Sequence, residues 1–289
     1  MGRTPGPTGT ETMGERVPAS VDLNVDAALL LRDMVGIDAY PLVLALMPNI
    51  YRIEDRDRVR ERVHEQLTAA GVIDDGRVHP VVVHWLHCLD RPDSELVARI
   101  VDTNALAETP TMLRFSLVRR AEDHVLAVRY DDHVVIQSVF PTGRAMDSIA
   151  SALSAALGCW PALEFDSLVA PMTQLDSIPA EPDQRRQALR ELGATPRTAA
   201  ALGRELGTVL RRAEIVMIEH RDGSFAQPEL CTNVLDTPSG RIVVVPHCAL
   251  DGEVWSTYLP GDVSAVRAGV EALQELLPSG SWLEASRTA

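Results

Sequence analysis

The sequence predicts an α+β fold made of two similar halves built on antiparallel strands. Four segments at 95–102, 111–119, 124–130 and 133–140 alternate in hydrophobicity and follow one another closely, the spacing of hairpins. A second run at 213–220, 228–236, 241–246 and 253–259 has the same order. The repeat is also visible in letters. Phe140-Pro141, a helix and Gly158-Cys159-Trp160 are answered by Leu259-Pro260, a helix and Gly280-Ser281-Trp282. Each half reads as two helices, four strands and one helix, over 21–160 and 161–289. Neither unit closes its own sheet, so the two are expected to pair across a pseudo-twofold axis.

The elements follow in order. Residues 1–20 hold Pro, Gly, Thr and charges without an apolar run, which predicts a disordered lead-in and no signal peptide. Val21, Leu23 and Val25 alternate as a short strand, and Asp26 is placed to cap a helix running to Met34. In 54–70, Val59, Val63, Leu67 and Ala70 share one helical face, and Gly71 ends it. A helix at 79–89 carries Pro80 in its first turn. Met146, Ile149, Leu153 and Leu157 mark a helix at 145–157. The second half opens with helices at 181–192 and 195–211, the latter capped by Thr195 before Pro196, and closes with one at 262–277.

Composition removes several classes of function. Against 41 acidic residues stand 27 basic ones, a net charge of -14, which repels nucleic acid and anionic membranes. All 27 are Arg. Without Lys there is no Walker A lysine, Schiff-base lysine or Ser–Lys dyad. Cys88, Cys159, Cys231 and Cys248 form no C-x-x-C pair and read as reduced, buried thiols of a cytoplasmic protein. No segment nears the ~18 apolar residues of a membrane span.

No catalytic signature stands. G-x-S-x-G and G-x-G-x-x-G are absent, and the acid pairs Asp55/Asp57, Asp74-Asp75 and Asp131-Asp132 fall at a helix start or in turns. His84, His87 and Cys88 lie three and four apart on one helix, a spacing zinc can use, but the fourth ligand of a structural site is missing and the same residues suit packing. No cofactor is expected. A metal-dependent hydrolase on these three residues stays open as an alternative, as does a homodimeric scaffold supported by sheet edges.

Three features fit a protein-binding surface. Ala199, Gly203 and Gly207 form a small-residue stripe, open either to a visiting helix or to the chain's own. Thr232, Ser256 and Gln137 are uncharged polar residues on alternating strand positions, and charge depletion marks interface cores. The connection 103–110, with Leu106 among small residues, is longer than a tight hairpin loop.

Val21-Asp22-Leu23, Met47-Pro48-Asn49-Ile50, Leu235 to Ile242 and Leu276 to Trp282 are among several segments that resemble the EspG family of type VII (ESX) secretion chaperones. In the first half these are Val21-Asp22-Leu23, Tyr40-Pro41-Leu42-Val43-Leu44, Met47-Pro48-Asn49-Ile50, Leu67 to Asp74 and Val125 to Arg129. In the second they are Leu235 to Ile242, Asp251-Gly252-Glu253 and Leu276 to Trp282. The resemblance spans about 21–283. It implies a central, largely antiparallel sheet flanked by two helical bundles with quasi-twofold related halves. It implies a cytosolic, non-enzymatic chaperone that binds the PPE tip of a PE–PPE heterodimer, keeps it soluble and directs it to one ESX system. The Pro48-Asn49-Ile50 run and the terminal Leu276 to Trp282 segment lean toward the ESX-1 or ESX-3 branches. Family contacts map to Thr103, Asn104, Ala105, Leu106, Ala107, Glu108 and Thr109, and to the bundle through Ala199, Leu202, Gly203, Leu206 and Gly207. Gln227, Glu229 and Thr232 complete the implied set. On this reading, charge reversal at Leu106 or Gly203→Leu weakens cargo binding and leaves the fold intact.

Overall fold

The computed structural model describes residues 18–49, 52–103, 111–139 and 145–287. The first half runs β1 (Ser20–Asn24), α1 (Val25–Val35), a 3-10 turn (Leu42–Leu44), α2 (Ile53–Ala69), the small hairpin β2 (Ile73–Asp74) and β3 (Arg77–Val78), and α3 (Pro80–Asp90). Then come β4 (Ser94–Asp102), β5 (Thr111–Arg120), β6 (Asp123–Tyr130), β7 (His133–Ser138) and α4 (Ala145–Leu157). The second half runs β8 (Leu168–Pro171), α5 (Met172–Asp176), α6 (Pro182–Glu191) and α7 (Pro196–Glu205). It ends with β9 (Arg211–Arg221), β10 (Ser224–Ala226), β11 (Thr232–Thr237), β12 (Gly240–Cys248), β13 (Val254–Pro260) and α8 (Val263–Glu275).

One antiparallel sheet carries the molecule, in the order β1-β7-β6-β5-β4-β9-β11-β12-β13-β8, with β10 paired to β9. That order reads the same from either end. The pseudo-twofold axis falls between β4 and β9, which pair antiparallel from Ser94↔Glu219 to Asp102↔Arg211. Among the described residues the ten strands in line end on the short β1 and β8, and short edge strands disfavour edge pairing.

Side-chain alternation divides the sheet's two faces. On one, Leu96, Phe115, Ile215 and Val243 pack under α4 and α8, which meet across the axis through Ile149, Leu153, Val266 and Leu273. On the other, α1, α2 and α3 cover the first half through Leu31, Leu67 and Trp85 over Val125 and Ile136. There α6 and α7 cover the second half through Leu189 and Leu202 over Leu235 and Ile242.

The structure revises several details of the sequence reading. Each half opens with a strand and three helices, since β8 and α5 precede the expected helix pair. The cap of α1 is Asn24, whose side chain accepts from Ala27 N–H at 2.8 Å; Asp26 already lies in the first turn. Helix 195–211 ends at Glu205, so Gly207 lies beyond it. The strand expected at 228–236 is β11 alone, starting at Thr232, with β10 a separate short ribbon. Ser20 belongs to β1, while residues 1–17 of the expected disordered lead-in lie outside the described residues. Among the cysteines Cys88 is buried, Cys231 half-buried, and Cys159 and Cys248 exposed.

A buried clasp ties the C-terminal segment to the first half. Arg119 Nε donates to Trp282 O at 2.6 Å and its guanidinium also reaches Ala285 O. Trp282 Nε1 donates to His124 Nε2 at 3.0 Å, while His124 Nδ1 lies 3.2 Å from Glu122 O. An imidazole that accepts at Nε2 and donates at Nδ1 is neutral. Burial, the larger effect, and the nearby Arg119 push His124 below its ordinary value of 6.5. Because the folded pKa lies below the unfolded one, this contribution to stability is present above about pH 6.5 and is lost as the pH falls. Titrating the His124 ring by NMR should place its pKa below the ordinary 6.5, with the melting temperature dropping as the pH falls from 6.5. A ring charged at pH 7 would refute the assignment.

Candidate functional site

Among the described residues the two helical bundles leave a groove between them over β4, β9 and β11, at the seam of the two halves. Two cavities lie in it. One of about 520 Å³ is walled by Tyr40, Pro41, Leu42 and Leu89 from the first half and by Phe225 and Pro228 from the second, over a floor of Val97, Val216 and Ile218. The other, of about 580 Å³, lies against the second bundle and is lined by Thr103, Leu175, Leu206, Val209, Asn233 and Tyr258. Glu229 and Cys231 line both, so the two adjoin.

The groove sets apolar walls beside charged groups, among them Asp90, Arg99, Glu214, Glu229 and Arg287. Leu42 and Phe225 are 87% and 62% exposed on its rim, an arrangement that favours burial against a partner. A register-matched row crosses the floor: Arg114, Arg99, Glu214 and Asn233 on β5, β4, β9 and β11. Burial and then the flanking Arg129 and Arg99 push the Arg114 guanidinium below its usual value. Arg114 donates to Val43 O at 3.3 Å and Arg129 to Leu44 O at 2.8 Å, which fixes the 3-10 turn carrying Leu42. Beneath Ile218, buried Glu95 accepts from Ser116 Oγ at 2.8 Å and pairs with His220 Nε2 at 3.1 Å. Burial pushes the Cys231 thiol up, so it stays protonated and is a weak nucleophile.

The expected contact residues divide into three groups. Thr103, Leu206, Gln227 and Glu229 line the groove. Thr103 is held at its end, its N–H donating to Leu210 O at 2.8 Å and its hydroxyl to Val209 O at 2.9 Å. Asn104, Ala105, Leu106, Ala107, Glu108 and Thr109 lie outside the described residues. Ala199, Leu202, Gly203 and Thr232 of the remaining residues are buried, and Gly207 is exposed just beyond α7.

The small-residue stripe is already occupied by α6. A Cβ at Gly203 would sit 3.3 Å from Arg186 Cβ, and one at Gly207 would sit 2.7 Å from Arg185 Nη1. Gly203→Leu is therefore a stability variant, against the expectation of an intact fold. Overpacking of this kind costs about 1–3 kcal/mol, and calorimetry should show a lowered melting temperature before any binding is tested. Thr232 faces α8, where its hydroxyl donates to Gly269 O at 3.1 Å; a Cβ at Gly269 would lie 2.6 Å from Thr232 Cγ2. Ser256 and Gln137 also part company, since Ser256 lines the groove and Gln137 lines a cleft beside α4.

Elsewhere, His84 and Cys88 meet on one face of α3, with Nε2 and Sγ 3.8 Å apart. The third group beside them is Asp123 on β6, which sequence reading missed. His87 is exposed and is not part of the cluster.

The comparisons with known proteins bear on the whole chain. A model of the EspG family matches residues 24–272. The chain belongs to the EspG family. It is 32% identical to the ESX-1 secretion-associated protein EspG1 of Mycobacterium marinum, over 96% of this chain and 95% of that protein. It is 31% identical to the ESX-3 secretion-associated protein EspG3 of Mycolicibacterium smegmatis, over 92% and 89%. The ESX-5 secretion-associated protein EspG5 of Mycobacterium marinum matches over 34% of each chain at 29% identity. In structure, this EspG-family chain superposes on the Mycobacterium tuberculosis type VII secretion system chaperone EspG5, solved in complex with a PE25–PPE41 dimer. The TM-score is 0.75, with 92% of this chain and 100% of the other covered at 20% identity, which establishes the shared fold. No helix of the described residues is long and apolar enough to cross a membrane.

Proposed function

We propose that this EspG-family chain is a cytoplasmic, non-catalytic chaperone that holds a PE–PPE heterodimer by the tip of its PPE subunit and directs it to type VII secretion. Family membership over residues 24–272 carries the reading. The end-to-end matches to ESX-1 and ESX-3 proteins favour one of those two systems. The open groove supports it physically. An apolar floor between two rigid bundles suits a helical tip that would otherwise expose its apolar face.

The cargo end is assigned to the cavity beside the second bundle, through Thr103, Leu206 and Glu229, with Gln227 in the neighbouring cavity and the adjoining 104–110 segment adding contacts. Co-expression with candidate PE–PPE pairs, followed by pull-down, tests the proposal. One pair should co-purify, and Leu106→Glu should reduce its recovery while leaving the melting temperature unchanged. Equal recovery with that variant would remove the segment from the contact set.

A further inference from the structure

Outside the groove, one cluster of side chains has the chemistry of a ligand set. His84 and Cys88 sit four apart on α3, so their side chains stack on one helical face. Asp123, the first residue of β6, is brought to them by the tight turn that follows Arg120. His84 Nε2 lies 3.0 Å from Asp123 Oδ2 and 3.8 Å from Cys88 Sγ, and the three donor atoms all fall within 4.8 Å of one another.

We infer that His84, Cys88 and Asp123 form a divalent-metal site suited to zinc, with solvent in the fourth position. A tetrahedral zinc with nitrogen and oxygen at about 2.0–2.1 Å and sulfur at about 2.3 Å sets its ligand atoms roughly 3.3–3.7 Å apart. The separations of 3.0 and 3.8 Å from His84 lie on either side of that range and the Asp123–Cys88 one stays within 4.8 Å, so side-chain adjustment brings all three onto one ion. One imidazole, one thiolate and one carboxylate are donors zinc accepts. The field also suits a cation, because Asp123 and Asp93 both act on Cys88 against the single Arg120. Arg120 is itself tied back, donating to His87 O at 2.8 Å. His84 and Asp123 are exposed, which gives an ion a way in, while Cys88 is buried and forms the closed end.

A cysteine ligates zinc as the thiolate, so binding replaces the Cys88 proton by the metal and releases it to solvent. The ion would pin α3 to the β5–β6 turn. His87, the third residue of the sequence motif, takes no part.

The full-length protein, stripped with chelator and titrated with Zn²⁺, provides the test, with Co²⁺ as the optical probe. One equivalent should bind with proton release, and Co²⁺ should show a thiolate charge-transfer band. Asp123→Asn, a surface change with little effect on folding, and Cys88→Ser should each weaken binding by about tenfold or more. His87→Ala should bind as the parent does. Failure to bind one equivalent, or affinity unchanged in both Asp123→Asn and Cys88→Ser, would overturn the site.

Discussion

Asp236→Ala should lower stability by about 3–5 kcal/mol, the usual effect of orphaning a buried charge. Asp236 is 1% exposed on β11 and holds two arginines. Its Oδ1 accepts from Arg241 Nε at 2.6 Å and its Oδ2 from Arg211 Nε at 2.8 Å. Arg241, 4% exposed, also donates to Leu157 O at 2.9 Å and to Gly158 O at 3.2 Å, and Arg211 reaches Leu157 O as well. The cluster thus joins the C-terminal end of α4, from the first half, to β9, β11 and β12 of the second. Removing the carboxylate leaves Arg241 charged and enclosed, with only carbonyls around it. The melting temperature should fall by on the order of 10 °C. A fall of less than about 2 °C would mean that water or a neighbouring group takes over the carboxylate's role.

Leu206→Glu should weaken cargo capture by about 30-fold, equivalent to about 2 kcal/mol at a buried interface position. Leu206 stands at the end of α7 on the wall of the cavity beside the second bundle, next to Val209 and facing Tyr258 across the cavity. Leu206 is half-buried and also packs on the second bundle's core, so part of the effect falls on folding and the rest on docking. Leu42→Glu on the opposite rim, at a residue already 87% exposed, should matter less if the tip sits against the second bundle. Dissociation constants by calorimetry, with melting temperatures as the folding control, separate the two. A larger loss for Leu42→Glu would move the cargo to the cavity walled by the first half.

Much of the fold was legible because its elements have strong periods. Strands 95–102 and 111–119 lie within a residue of β4 and β5, since Leu113, Phe115 and Leu117 alternate along one and the other is a short apolar run rich in Val and Ile. The palindromic strand order follows from the repeat of the two four-strand runs. The strand β8 was not legible, being four residues with Pro171 at its end and no alternation long enough to stand out.

The site was read less well, for reasons of direction rather than position. In a strand one residue decides the face, so Thr232 lies under α8 while its neighbour Asn233 opens to the groove. A stripe of small residues says that something comes close, not what. Here it is Arg186 of α6. Asp123 joins His84 and Cys88 only in three dimensions, 39 positions from its histidine partner. Its type gave no signal, because acids in turns are common.

Hydrogen–deuterium exchange on the chain, free and with a co-purified PE–PPE dimer, tests the central claim most directly. The predicted result is slowed exchange at Thr103, over 206–212 and over 227–233, with α4 and α8 unchanged. A stable complex whose protection falls on the α4–α8 face, leaving the groove exchanging as before, would contradict it.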